Sequence, residues 1–315
     1  MIDFRKRSMG ITRIVVAVGA LVGCLLGIGL KHIHELRKDR FISDVDADAL
    51  QLAEKAATAA LDGRIEEAQQ LFAKAQQATT NLRVLHLAYE FYHRTGDLAK
   101  AEEMLDRWLA ISGRDAETAD TAAALGNLGV IYWRRGELDR AEEMQQKALA
   151  IHEKLGRQEG MATNYGNLGL IDQARGELHR AEEMHRKALA INEMLGLQEG
   201  MANDYGNLGG IYNTRGDLDR AEEMHQQALA INEMLSLQEG IAAEYGSLGS
   251  LAYKRGELER ARELWTKARD LYAKIGIPHM VKQVQEWLDV LPKPAAESRR
   301  ASVSRGKGQG TGRKT

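Results

Sequence analysis

At 315 residues the chain has room for one or two domains, and its 44% hydrophobic content excludes a wholly disordered one. Aromatics at 5% and only 3 prolines leave Ala, Leu, Ile and Met as the main apolar residues, favouring helix over sheet, and the single cysteine, Cys24, excludes an intramolecular disulfide and a zinc site built on several thiolates. The formal charge of −2 conceals +5 over residues 1–40, −13 over 41–292 and +6 over 293–315, and so acidic a middle argues against nucleic acid as a ligand.

A basic segment, residues 1–13 with Arg5, Lys6 and Arg7, precedes an uncharged apolar run from Ile14 to Leu30. Its seventeen residues span roughly 26 Å as a helix, and Arg13 and Lys31 at its edges can snorkel to the headgroups. Residues 14–30 are therefore predicted to form a single transmembrane anchor, followed by a linker over 31–45. Arg5, Lys6, Arg7, Arg13 and the amino group narrowly outweigh Lys31, Arg37, Lys38 and Arg40, which predicts a cytoplasmic amino terminus in a bacterial inner membrane. A rival reading takes Leu21-Val22-Gly23-Cys24, which resembles a lipobox, as a processing site that leaves Cys24 lipidated. The apolar run continues past Cys24 as LLGIGL, which favours the uncleaved anchor, and both readings keep the protein on a membrane. Gly19, Gly23 and Gly27, four apart, could bring two such helices together as a homodimer, although glycine is common in membrane spans. His32 and His34 read as interfacial polar residues.

The rest of the chain is self-similar. Gly126-Asn127-Leu128-Gly129 returns as Gly166-Asn167-Leu168-Gly169 and Gly206-Asn207-Leu208-Gly209, and a fourth copy reads Gly246-Ser247-Leu248-Gly249. Arg135-Gly136-Glu137-Leu138 returns from 175, 215 (with Asp217) and 255, on the same 40-residue period. Residues 161–200 and 201–240 agree at 29 of 40 positions. Repetition at this length predicts a solenoid in which each unit buries its apolar face on its neighbours. Within one unit, Tyr165, Leu168 and Gly169 share a helical stripe, predicting a first helix over 161–175 that Gly176 ends. Residues 178–195, rich in strong helix formers, predict a second helix whose small Ala181 and Ala188 permit close packing, and Leu195 to Gly200 is expected to connect to the next unit.

These residues resemble the tetratricopeptide repeat. Its Leu-x-x-Leu-Gly-x-x-Tyr pattern stands at Leu125, Leu128, Gly129 and Tyr132, with the turn glycine at Gly136 and the small residue at Ala141; Tyr205, Leu208, Gly209, Tyr212, Gly216 and Ala221 repeat it. The 40-residue period looks most like the longer-repeat subgroup found in mitotic-spindle adaptors and many bacterial proteins. Asp172 and Ala252 depart from the tyrosine, while Gln145, His185, His225 and Trp265 stand where the second helix often has phenylalanine. A longer loop containing Gln-Glu-Gly (158–160, 198–200, 238–240) is expected in place of the closing proline. Two looser units over 46–112, marked by Gly63 and Gly96, precede the four units of 121–277. A capping helix follows after Pro278, within 278–291, and a disordered basic tail over 292–315 ends the chain. The fold class is thus all-α: a right-handed helix-turn-helix solenoid of about six units behind one transmembrane helix.

Nothing in the repeats carries the pattern of a nucleophile, a phosphate loop or a metal site, so no enzyme, cofactor or metal is expected. His179 and His185 lie six apart, off one helix face, and the Glu-Glu-Met segments (142–144, 182–184, 222–224) read as solvated glutamates beside a packing methionine. The resemblance implies a concave groove lined by first helices that holds a peptide or a partner helix. Asn127, Asn167 and Asn207 form a ladder able to pair with the backbone of an extended peptide; the alternative is that they bond a neighbouring helix and fix the stack. Trp133, Arg134, Gln173, Asn213, Tyr253 and Lys254, further along, would vary specificity from unit to unit. Gly126 and Val130 stand where chaperone-binding relatives have a Lys and an Asn, which disfavours that ligand. The expected protein is therefore a membrane-anchored scaffold or receptor for a protein partner. The alternatives are a self-associating spacer without a peptide ligand, and a lipidated repeat protein of a secretion or envelope assembly.

Overall fold

The structure, a computed structural model, describes residues 44–77 and 79–292. The predicted anchor at 14–30, with Cys24, Gly19, Gly23 and Gly27, and the tail beyond Pro292 lie outside the described residues. Among the described residues there are thirteen helices and no strand: α1 Asp44–Leu61, α2 Ile65–Ala75, α3 Leu82–Thr95, α4 Leu98–Ser112, α5 Ala119–Arg135, α6 Leu138–Lys154, α7 Gln158–Arg175, α8 Leu178–Leu195, α9 Gln198–Arg215, α10 Leu218–Met234, α11 Gln238–Lys254, α12 Leu258–Lys274 and α13 Pro278–Asp289. No described helix is long and apolar enough to cross a membrane. The chain divides into two compact units, the first ending at Arg215 and the second beginning at Gly216.

The turn inside each helix pair is set by one glycine. Gly136 ends α5 in the left-handed region at φ 80° and Gly176 ends α7 at φ 81°, a conformation that costs a side-chain-bearing residue about 1–2 kcal/mol. Short polar side chains begin several helices. Asn81 accepts from the Arg83 backbone N–H (2.9 Å), and Asp97 from that of Lys100 (3.2 Å).

The connection between pairs is shorter than the sequence reading expects. Gln158-Glu159-Gly160 and its two copies form the first turn of α7, α9 and α11, not a loop, so that only Gly196 and Leu197 lie between α8 and α9. The reason is tertiary. A Cβ on Gly160 would stand 2.5 Å from the His152 ring, one on Gly200 2.6 Å from the Asn192 amide, and one on Gly240 2.6 Å from that of Asn232. Each glycine is thus a helical residue that makes room for a side chain eight positions earlier. The glutamate before it sits in a first turn, where the helix dipole favours a negative charge.

In the first unit the core follows the inner faces of successive helices. Ala101, Ala141 and Ala181 are entirely buried, giving α4, α6 and α8 a small residue where they meet their neighbours. Phe72, Phe91 and Tyr92 form an aromatic nucleus near the amino-terminal end, with Phe72 and Phe91 ring centroids 4.9 Å apart. Leu105, Leu109, Leu128 and Ile131 continue it. In the second unit α13 closes the core with Met280, Val284 and Leu288, and Trp287 lies 5.8 Å from Trp265.

Candidate partner-binding face

Asn127 on α5, Asn167 on α7 and Asn207 on α9 occupy one position of three successive first helices within the first unit, each next to a buried leucine. All three are half-buried, and no hydrogen bond among the described residues engages their side-chain amides. The residues one turn further on are more committed. Trp133 packs on the core, and Arg134 is exposed with its guanidinium donating to the His93 carbonyl at 3.1 Å. Gln173 is half-buried against His185, at 2.9 Å between nitrogens, and Asn213 also makes internal contacts. In the second unit the Tyr253 ring stands 5.6 Å from Trp265, beside the exposed Lys254.

Buried polar contacts tie each of several second helices to a first helix, either that of its own pair or that of the next. Gln145 Nε2 donates to the Gly126 carbonyl at 2.8 Å and its Oε1 accepts from Asn164 Nδ2 at 2.7 Å. The next interface has His185 Nδ1 3.4 Å from Asp204 Oδ1, with Asn192 Nδ2 donating to the other carboxylate oxygen at 2.8 Å. In the second unit His225 Nδ1 lies 2.7 Å from Glu244 Oε2, and Trp265 Nε1 donates to the Gly246 carbonyl at 3.1 Å. Burial pushes the Asp204 carboxyl above its ordinary value, against the hydrogen bonds from His185 and Asn192. Gln145, His185 and His225 occupy the second-helix position that Trp265 fills with an aromatic ring.

Gly129, Gly169 and Gly249 make room for these second-helix side chains. A Cβ at Gly129 would meet the Gln145 amide at 2.6 Å, one at Gly169 the His185 ring at 2.6 Å, and one at Gly249 the Trp265 indole at 2.5 Å. Those side chains lie directly on a bare helix backbone. His179, by contrast, is exposed and touches Arg215, so the two histidines of α8 serve unrelated contacts.

The first glutamate of each Glu-Glu-Met segment is not solvated as the sequence reading has it. Glu142 is 19% exposed and accepts from Arg175 of the next first helix and, at 3.0 Å, from Arg180 of the next second helix. The Arg175 hydrogen bond, against partial burial and with help from Arg180, holds the Glu142 carboxyl below the usual carboxylate range. Glu182 is gripped likewise by Arg215 and by the Tyr212 hydroxyl (2.7 Å), and in the second unit Glu222 by Arg255 and Arg260. The arginine of the Arg-Gly-Glu-Leu signature is therefore half of a clasp between successive repeats within each compact unit. The second glutamate does behave as expected: Glu143 and Glu183 are exposed and pair with Lys147 and Lys187 at 2.7 Å.

No cluster of His, Cys, Asp and Glu arranged to hold a metal ion occurs among the described residues. The repeated helix pairs define a helical-repeat solenoid of the tetratricopeptide kind. The chain belongs to the MalT-like TPR region family, whose pattern matches residues 92–290. Among solved structures it is similar to BtubC (BKLC) from P. vanneervenii, at 24% identity and TM-score 0.56 over 76% of this chain and 93% of that one. RapI in its apo form superposes with TM-score 0.58 at 14% identity, covering 80% of this chain and 98% of that one. A Rap protein complexed with Competence and Sporulation Factor superposes with TM-score 0.55 at 14% identity, over 75% and 72%. At these identities the likeness is one of fold. The comparison with curated proteins finds no match.

Proposed function

We propose that this protein is a membrane-anchored repeat receptor that holds an extended segment of a partner protein along its first-helix face. The observation that carries the reading is the asparagine ladder. Asn127, Asn167 and Asn207 recur in register and are half-exposed, yet no described hydrogen bond spends them on the fold, in contrast to the arginines and histidines of the same repeats. An amide offers a donor and an acceptor together, so a row of them can pair with a peptide backbone whatever its side chains. The net acidity of residues 41–292 favours a neutral or basic segment. The Rap neighbour solved with Competence and Sporulation Factor is a precedent for partner binding on a related fold.

The 40-residue period places the repeats in the longer-repeat subgroup on this reading. The apolar run 14–30 anchors them as a single-pass inner-membrane protein with a cytoplasmic amino terminus, and Gly19, Gly23 and Gly27 supply a face for dimerisation. The test is affinity capture from solubilised membranes with the full chain and with the Asn127→Ala/Asn167→Ala/Asn207→Ala variant, once circular dichroism shows equal helicity. Three amides at about 1 kcal/mol each predict roughly a hundredfold weaker binding in the variant. Equal capture by both proteins would refute the ladder and favour a spacer that associates through other surfaces.

A further inference from the structure

Gln173, on the proposed face, is the outer end of a buried polar chain. Its Nε2 lies 2.9 Å from His185 Nε2, His185 Nδ1 lies 3.4 Å from Asp204 Oδ1, and Asn192 Nδ2 donates to Asp204 Oδ2 at 2.8 Å. The His185 side chain has no exposed surface and that of Asp204 is 5% exposed. Two nitrogens can share a hydrogen only if one has a free lone pair, and an amide nitrogen has none to give. His185 Nε2 is therefore the acceptor, its ring proton sits on Nδ1 facing Asp204, and Gln173 donates inward. That leaves Gln173 Oε1 outside the His185 contact, on a half-buried residue. A proton added at His185 Nε2 would set N–H against N–H across 2.9 Å. A half-turn of the Gln173 amide removes the conflict: Oε1 comes inward to accept, and the NH2 group goes outward.

We propose that His185 and Asp204 are positioning residues for Gln173, so that the partner-binding face presents an acceptor at Gln173 while His185 is neutral and a donor once it is an imidazolium. The inference rests on the groove reading for its consequence. Beside the ladder a partner backbone meets a carbonyl oxygen while His185 is neutral and an amide N–H once it is charged. The surroundings isolate the effect. From α9 the charged group facing His185 is Asp204, whereas α7 presents the neutral Gln173 and Gly169. The neighbouring charges are occupied elsewhere: Asp172 by Arg180 at 3.5 Å, Glu182 by Arg215 and Tyr212, and Arg186 by Glu182 and Tyr212. The preceding interface offers a comparison, because Gln145 and Asn164 stand in the columns of His185 and Asp204, neither of them titratable, with His152 in the column of Asn192.

The test is nitrogen NMR on the full chain in detergent, labelled with 15N at histidine and glutamine and titrated from pH 8 to 5. The His185→Gln/Asp204→Asn variant copies the Gln145–Asn164 pair of the preceding interface and identifies the His185 signals; Gln173→Ala identifies the amide. The expected result is the Nδ1–H tautomer of His185 at pH 8. The Gln173 amide signals should then shift with the same midpoint as His185, and should stay still in the Gln/Asn variant. The Nε2–H tautomer at pH 8 would overturn the proposal. So would a Gln173 amide that ignores the protonation of His185, or a His185 that takes up no proton before helicity is lost. No partner is used, so this result is separable from the capture experiment that tests the ladder.

Discussion

Gly166 and Gly169 lie three residues apart on α7, and alanine should act on them with opposite signs. In a helix interior Gly→Ala gains about 1 kcal/mol from backbone entropy alone. At Gly166 nothing opposes this, since the nearest atom to a new Cβ is Asp204 Oδ1 at 4.0 Å, an ordinary contact. At Gly169 the Cβ would stand 2.6, 2.7 and 2.9 Å from three atoms of the His185 ring. Carbon contacts are optimal near 3.5–4.0 Å, so the rigid ring must retreat by about 1 Å. Its bonds to Gln173 at 2.9 Å and Asp204 at 3.4 Å leave little room for that. Overpacking costs about 1–3 kcal/mol and a buried polar group left unpaired about 1–3 more. Net of the backbone gain, Gly169→Ala should lose about 1–5 kcal/mol, with about 3 kcal/mol at the centre of that range. Urea unfolding followed by circular dichroism should place its midpoint about 1 M below wild type, with Gly166→Ala above wild type. In a His185→Ala background the penalty should disappear, because the ring it collides with is gone. A Gly169→Ala midpoint at or above wild type would refute the close-approach argument.

The remaining predictions concern a strained turn and a buried imidazole. Ser236 holds φ at 58° where Gly156, Gly196 and Gly276 stand in the other units, so Ser236→Gly should stabilise the second unit by about 1 kcal/mol, read as a higher melting temperature; no gain would mean that the serine pays nothing for its left-handed backbone. Burial, reinforced by Arg134, lowers the His93 pKa to about 4, so His93 is neutral in the folded chain. That contribution is complete above the ordinary histidine value near 6.5 and is lost as pH falls toward 4, by about 3 kcal/mol in all. His93→Phe should flatten the loss of stability over that range. An unchanged pH profile in the variant would show that another group carries it.

Much of the fold was legible because it is local and repeated. Gly136 and Gly176 stop helices wherever they stand, and the alanines at 141 and 181 mark the close-packed side without reference to any partner. The second helix of the fourth repeat, read as 178–195, has those limits in the structure. The candidate site was only partly legible. Asn127, Asn167 and Asn207 stood out because they recur, and the structure adds that no described hydrogen bond engages them. His185 was passed over because its partner Asp204 lies nineteen residues away on another helix, and a search for one helix face compares neighbours three and four apart. One trace was present. Column by column, Gln145 matches Asn164, His185 matches Asp204 and His225 matches Glu244, amide with amide and imidazole with carboxylate.

What the sequence determined by itself was the alphabet of units: helix, glycine turn, helix, at a fixed period, with an acidic middle between basic ends. Those properties depend on backbone freedom, helix propensity and net charge, which are written within a few residues. The tertiary structure decided what each polar residue is for. Gln-Glu-Gly is helical because a side chain of the preceding helix lies on its bare glycine, and Glu142 is a clasp because Arg175 and Arg180 of the next pair close on it. His185 is interior because α9 brings a carboxylate to it. In each case the deciding atom comes from a different helix. Its distance is set by how one pair packs on the next, which no spacing within a single helix records.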